Sequence, residues 1–293
     1  MAREKTLSYL IAREYEGMLR IGQSKREAKA KAREEHKKLE GIYSFSTLRT
    51  YIKNGKAFGK WVQYEYKCRN VKKARKYVKK YLKMKQREGK SPYTIRTIAS
   101  ALAKLYNCSS TDFGVKFEDR KRANITRSRT VPDIKTEEKA RNVVDFIKGC
   151  GLRRKEILNL RKEDIKREAD GTLTVYVHCG KGGRKRIVTV LAEYEAHIEK
   201  MVKMTKENEK IFKTIPRDVQ THYYRACYAQ AYYNKVARPL DTLSNKEKYY
   251  MRGDRKGDVY DRDAMYETSL QLGHSRISVI AAHYLYTPQE GDT

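Results

Sequence analysis

Four short fragments carry side chains suited to phosphoryl transfer: "GLRRKE" (151–156), "GKGG" (180–183), "HYYR" (222–225) and "LGH" (272–274), the last followed by Tyr284 and Tyr286. Attack on a phosphodiester gathers negative charge on a five-coordinate phosphorus, and two guanidiniums can clamp its non-bridging oxygens. Arg153 and Arg225 are the candidates, with Arg154 as rival to the first. Glu156 follows Arg153 by three, where a carboxylate either orients that guanidinium or makes an ordinary surface ion pair. Lys181 stands at the tip of a glycine-rich turn, where a long ammonium can reach into a groove, with Lys185 as its alternate. His222 precedes Arg225 by three, which puts both on one side of a helix. A neutral imidazole there can take a proton from a tyrosine or hydrogen-bond a phosphate oxygen. His274, expected at a helix start, would donate to a second phosphate oxygen.

Other chemistries fit less well. The lysine of "GKGG" is followed by neither Ser nor Thr, so the turn is not a nucleotide-binding P-loop. His178, Cys179 and Cys227 lack zinc-ligand spacing, and the five scattered cysteines (Cys68, Cys108, Cys150, Cys179, Cys227) read as reduced thiols. No metal and no other cofactor is expected. Lys and Arg total 66 against 36 Asp and Glu, a net charge of +30, while 39% hydrophobic and 10% aromatic residues argue for a folded protein. A folded chain this basic needs a polyanionic partner, and nucleic acid fits better than an anionic membrane surface. An N-terminus without an apolar signal region, and the lack of any long apolar run, point to a cytoplasmic protein.

The elements that position these groups follow from apolar spacing and caps. Leu7, Ile11, Tyr15 and Met18 form one helical stripe over 6–21, and Ser24 with Glu27 caps a highly charged helix after it. Leu48, Ile52, Gly55, Phe58, Trp61 and Val62 mark a core-facing helix in which the glycines permit close helix approach. Val71, Ala74, Val78 and Leu82 share one face of the next segment, and Lys72, Lys76, Lys79, Lys83 and Arg87 line another. Few acids balance that basic face, so it reads as a phosphate-contacting surface. Ser91-Pro92 opens a helix burying Ile95, Ile98, Leu102 and Leu105. After an aperiodic basic linker, a helix is expected to end at Gly151, a second to carry "RRKEILNLRKEDI", and "TLTVYVHCGKGGRKRIVTVL" to form a β-hairpin. Helices are expected over 192–206, 217–237 and 261–272.

In their order and spacing the four fragments resemble the catalytic domain of the tyrosine recombinases, the integrase family of phages and mobile elements. The resemblance extends from about residue 42, because the helical unit also looks like that family's core-binding domain. It implies a mainly α fold with a small β-sheet, made of a helical core-binding domain and a mixed α/β catalytic domain. The boundaries are an N-terminal helical arm (1–41), a DNA-binding domain (42–117), a linker (118–133) and a catalytic domain (134–293). It also implies that Lys181 protonates the leaving 5′-hydroxyl and that a tyrosine is the nucleophile. With 23 tyrosines in the chain, proximity alone selects none. The family's nucleophile follows the Leu-Gly-His histidine by nine residues, in some integrases by ten; nine falls on His283 and ten on Tyr284. Tyr286, two further, lies about 200° round a helix, so one of the pair alone can face the phosphate. Ile277, Ile280 and Ala281 pack the inner side and favour Tyr284.

The implied reaction runs through a 3′-phosphotyrosyl link and a Holliday junction. It needs neither ATP nor metal, and uses a homo-tetramer on specific double-stranded sites, with a possible directionality factor. A type IB topoisomerase or telomere resolvase shares the chemistry, and a DNA-binding regulator with a dead site is the rival of another class. Residues 239–260 lengthen the path from "HYYR" to "LGH" without an assigned role. The nine residues after Tyr284 are expected to be too few for the C-terminal helix that many relatives dock on a neighbour. The stripe of residues 6–21 then either reaches a neighbouring protomer or folds back on its own domain.

Overall fold

The computed structural model describes residues 5–119 and 131–285. The chain divides into two compact units between Arg120 and Lys121. Most of the expected linker, 118–133, lies outside the described residues. The architecture is mainly helical with small antiparallel sheets, as expected.

The first unit holds α1 (Leu7–Gly17), α2 (Lys25–Glu34), α3 (Phe45–Tyr66), α4 (Val71–Ala74), α5 (Val78–Arg87) and α6 (Pro92–Leu105). Hydroxyl and amide side chains start these helices: Thr6, Ser24, Ser44, Asn70 and Ser91 each accept a backbone N–H of the first turn. Residues 5–41 are not a separate arm. Leu7, Ile11 and Tyr15 are fully buried in the same core as Phe58, Val62, Leu82 and Leu102. The Tyr15 hydroxyl donates to the Ala101 carbonyl at 2.8 Å. The excursion through α2 is closed at its base by backbone bonds from Arg20 to Ile42 (2.9 Å) and from Ile42 to Met18 (2.8 Å). α1 lies so close to α3 that a Cβ on Gly55 would fall 2.6 Å from the Tyr15 ring. Tyr15→Ala is therefore expected to destabilise the protein by about 3–5 kcal/mol, the cost of emptying a buried aromatic site. A denaturant midpoint like that of the wild type would contradict this packing. The segment whose apolar face is Val71, Ala74, Val78 and Leu82 is divided by a 3-10 turn at Arg75–Tyr77, where Tyr77 stacks on Tyr66 with ring centroids 4.0 Å apart.

The second unit holds α7 (Ile134–Lys139), α8 (Arg141–Cys150), α9 (Arg154–Ile157), β1 (Ile165–Arg167), β2 (Leu173–Val177), β3 (Arg186–Thr189), α10 (Ala192–Met204), α11 (Thr221–Val236), β4 (Lys248–Tyr250), β5 (Val259–Asp261), α12 (Arg262–Gln271) and α13 (Ser278–His283). The expected hairpin is β2–β3, with Val175 opposite Val188, and β1 adds a third antiparallel strand with Ile165 opposite Val175. α8 packs on α10 and α11, burying Phe146, Ile147, Ile198, Tyr224 and Tyr228. The helix expected for "RRKEILNLRKEDI" shrinks to α9 and a 3-10 turn at Lys162–Asp164. Its buried residues Ile157, Leu160 and Ile165 are spaced as on one helix face, but the Leu160 carbonyl is taken by Ile211 N at 3.1 Å. Long-range pairing overrides helix propensity there. Residues 239–260, left without a role by sequence, contribute β4 and pair it with β5 in a second small sheet.

Candidate active site

α8 stops at Gly151, whose φ of 59° is left-handed; a Cβ there would lie 2.3 Å from the Tyr228 ring. The stop places Arg153 just before α9, and Glu156 folds back on it. Glu156 Oε2 accepts Arg153 N at 2.9 Å, and Oε1 accepts Arg153 Nη1 at 2.8 Å. Arg186, the first residue of β3, adds a fork: its Nη2 donates to Glu156 Oε2 at 2.7 Å and its Nη1 to Oε1 at 3.1 Å. Burial pushes the Glu156 carboxyl up, but the Arg186 hydrogen bonds and charge, with Arg153 beside them, bring it down to about 2. Arg154 points elsewhere, holding the carbonyls of Ile215, Pro216 and Val219 that lead into α11.

Arg225, on α11, is fully buried. Its Nη1 donates to the Gly151 carbonyl, its Nη2 to the Leu272 carbonyl at 2.6 Å, and its Nε to the Tyr284 hydroxyl at 3.2 Å. Arg153 Nη2 reaches the same Leu272 carbonyl at 3.1 Å, so one peptide oxygen gathers both guanidiniums. Among the described residues no carboxylate is within ion-pair reach of Arg225. Burial works against its charge, which is met in direct contact by two carbonyl dipoles and a phenol, with the Glu156 carboxylate acting from farther off.

His274 does not start a helix. Gly273, at φ 62°, stops α12, and His274 sits in the turn before α13, its N bonded to the Ser269 carbonyl at 2.9 Å. Its Nε2 lies 3.3 Å from the Tyr284 hydroxyl. Burial first, and then the positive charges of Arg225, Arg153, Lys181 and Arg186, drop its pKa to about 3. The ring is thus neutral in the native state. Because the native pKa lies below the unfolded one, the stability this burial represents is complete above about pH 6.5 and drains away as pH falls toward 3. The imidazole is expected to show no protonation shift between about pH 5 and pH 8 by NMR. A midpoint near 6.5 in that spectrum would remove the buried, cation-surrounded site.

Tyr284 terminates α13, mostly buried, its hydroxyl between Arg225 and His274. Its rival Tyr286 lies outside the described residues. His222 is half-buried in the first turn of α11, one turn before Arg225. Lys181 and Lys185 are exposed in the turn between β2 and β3, and Lys181 is near enough for its charge to act on His274. The structure therefore puts Arg225, His274 and Tyr284 in direct contact and links Arg153 to them through Leu272. In the first unit, Lys72, Lys76, Lys79, Lys83 and Arg87 are all exposed across α4, the 3-10 turn and α5, with no acidic partner among the described residues.

Sequence reasoning missed Arg186, one of three consecutive basic residues (Arg184, Lys185, Arg186) with nothing local to single it out. Strand alternation could have: a cation opening β3 on the inward-facing side needs an anion. It also missed Gln230, Arg255 and Tyr260, which bond carbonyls of the segment around Tyr284.

No protein-family model matches the chain. No curated protein matches it. Among solved structures it is similar to the XerH site-specific recombinase in a post-cleavage complex with palindromic difH substrate, at 14% identity and a TM-score of 0.53, over 97% of this chain and 92% of that one. The pre-cleavage complex of XerH with difH gives 14% identity and a TM-score of 0.51 over 96% and 93%. A Tn1549 transposon integrase with circular intermediate DNA aligns at 11% identity and a TM-score of 0.49, over 95% of this chain and 96% of that one.

Proposed function

We propose that this chain, which has the tyrosine-recombinase fold, cuts and rejoins DNA at specific sites through a covalent protein–DNA intermediate. The Tyr284 oxygen attacks a phosphorus and forms a 3′-phosphotyrosyl bond as the bond to the 5′-oxygen breaks. Lys181 supplies the proton to the departing 5′-hydroxyl. Arg153 and Arg225 hold the non-bridging oxygens, and His222 and His274 hydrogen-bond the phosphate and handle the tyrosine's proton. A second 5′-hydroxyl reverses the step, so the bond energy is kept. Four protomers on two duplexes would exchange strands through a Holliday junction.

The observation that carries this reading is the buried Arg225 guanidinium, which among the described residues has no carboxylate within ion-pair reach and lies against the hydroxyl of Tyr284 beside a neutral imidazole. A buried cation without an anion is costly, and an incoming phosphate supplies the missing charge. Since Arg225 is fully buried, that phosphate must open the Tyr284 contact to reach it. The bound difH of the XerH complexes is in keeping with a DNA substrate.

The test is covalent capture. A random-sequence pool of nicked suicide duplexes is incubated with the protein, denatured, and the attached strands are sequenced. Recovery of a defined site joined to the protein is expected; no attached strand from any sequence would leave a DNA-binding protein without this chemistry. The basic face of Lys72, Lys76, Lys79, Lys83 and Arg87 is assigned to the phosphate backbone. Replacing Lys76, Lys79 and Lys83 together by Ala should flatten the plot of log K against log salt by about three counterions, at ~0.9 per phosphate contact. An unchanged slope would take that face off the DNA.

A further inference from the structure

The segment 239–260 packs against the end of the helix that bears Tyr284. α13 has six residues, and its last carbonyls have no partner within the helix. The Ala281 carbonyl accepts Arg255 Nη1 at 2.6 Å. The Leu285 carbonyl accepts the Tyr260 hydroxyl at 2.8 Å and Arg255 Nη2 at 3.3 Å. The Tyr284 carbonyl itself accepts Gln230 Nε2, from α11, at 3.0 Å. Arg255 thus grips the chain on both sides of the tyrosine. Its own side chain is 9% exposed and is oriented by Asp258, whose Oδ2 accepts Nε at 2.6 Å.

The gripping residues are themselves fixed. Met251 is buried in the second unit's core, and Tyr260 packs edge-on against Tyr233 at 5.9 Å. Asp261, at the end of β5, is fully buried, takes a two-pronged bond from Arg238 (2.9 Å each) and caps α12. The Glu247 carbonyl accepts Arg262 N at 2.9 Å, closing the base of the β4–β5 hairpin.

We infer that Arg255, with Tyr260, is a positioning residue for the nucleophile: the hairpin holds the Ala281 and Leu285 carbonyls, one on each side of Tyr284 along the chain, and so keeps its hydroxyl between Arg225 and His274. The inference rests on the recombinase reading above. Its physical basis is that the end of a six-residue helix frays when its carbonyls go unpaired, and a displacement of ~1 Å at the attacking atom costs on the order of a hundredfold in rate.

The experiment measures single-turnover adduct formation at saturating duplex, using the site recovered by covalent capture. Arg255→Ala is expected to slow the step roughly tenfold to a hundredfold, with a lowered thermal midpoint, since buried partners lose their donor, but an unchanged duplex affinity at a temperature where the variant is folded. Arg255→Lys, able to reach one carbonyl, should restore part of the rate. A duplex with sulfur replacing the bridging 5′-oxygen carries a leaving group that needs no proton. It should relieve Lys181→Ala and leave the Arg255→Ala deficit in place. If Arg255→Ala fails to fold, Tyr260→Phe keeps the ring, removes one bond to Leu285 and should slow cleavage several-fold. Wild-type rates in whichever variant folds, or rescue of Arg255→Ala by the sulfur duplex, would overturn the assignment. A wild-type protein that forms no adduct would remove the recombinase reading and this inference together.

Discussion

Phenylalanine at position 284 is expected to abolish the covalent adduct while leaving duplex affinity within about twofold of wild type. The hydroxyl of Tyr284 touches both Arg225 Nε (3.2 Å) and His274 Nε2 (3.3 Å), so it is the phenol placed for attack and for proton transfer. Deleting the nucleophile leaves nothing to form the bond, and the loss should be at least about 10⁴-fold. Phe keeps the buried ring and its place 5.6 Å from the Arg225 guanidinium, so folding should survive. Denaturing gels of the nicked duplex measure the adduct, and mobility shifts measure affinity. Tyr286→Phe is the matched control and should still form the adduct. An adduct in Tyr284→Phe would move the nucleophile elsewhere.

The second large effect is on stability as well as rate. Glu156→Gln removes the one carboxylate that Arg153 and Arg186 share, leaving two mostly buried guanidiniums facing an amide. Breaking a buried ion pair from one side costs about 3–5 kcal/mol. The pH dependence gives an independent reading of the same group. The folded-state carboxyl is held at about 2 against an ordinary 4.5, so its contribution is complete above about pH 4.5 and is lost as pH falls toward 2. The shift corresponds to about 3 kcal/mol by linkage. Glu156→Gln should therefore have a lower denaturant midpoint at neutral pH, and the gap to wild type should narrow through that acid window. This window lies below most of the range in which His274 acts, so the two are separable. A gap that stays constant down to pH 2 would mean that the carboxylate is not the stabilising partner. Cleavage should fall too, since Arg153 loses the anchor that turns Nη2 toward Leu272.

Much of the fold could be read from local signals. Ser24 and Ser91 cap the helices they were expected to cap, and Gly151 ends α8. The Val/Thr-rich arms around "GKGG" pair as expected. Such features depend on residues a few positions apart, and the energies are those of the chain with itself. The choice between Arg153 and Arg154 was harder, because neighbours in a turn differ only in direction. The structure sends one to Leu272 and the other to Ile215 and Pro216.

By itself, then, the sequence determined which residue types were available, their order, and which faces had to be buried. Only the tertiary structure decided what those faces were buried against. The stripe of Leu7, Ile11 and Tyr15 required an apolar partner, but periodicity does not say whether it is a neighbouring protomer or α3 of the same chain. Arg186 was one of three adjacent cations until strand pairing placed it against Glu156, thirty residues away. Residues 239–260 had no pattern that pointed to α13, because Arg255 finds its partners among backbone carbonyls, which every residue carries alike. Those contacts exist only once distant segments pack, and the free energy that selects them is the burial and pairing of charges and carbonyls that no local window contains.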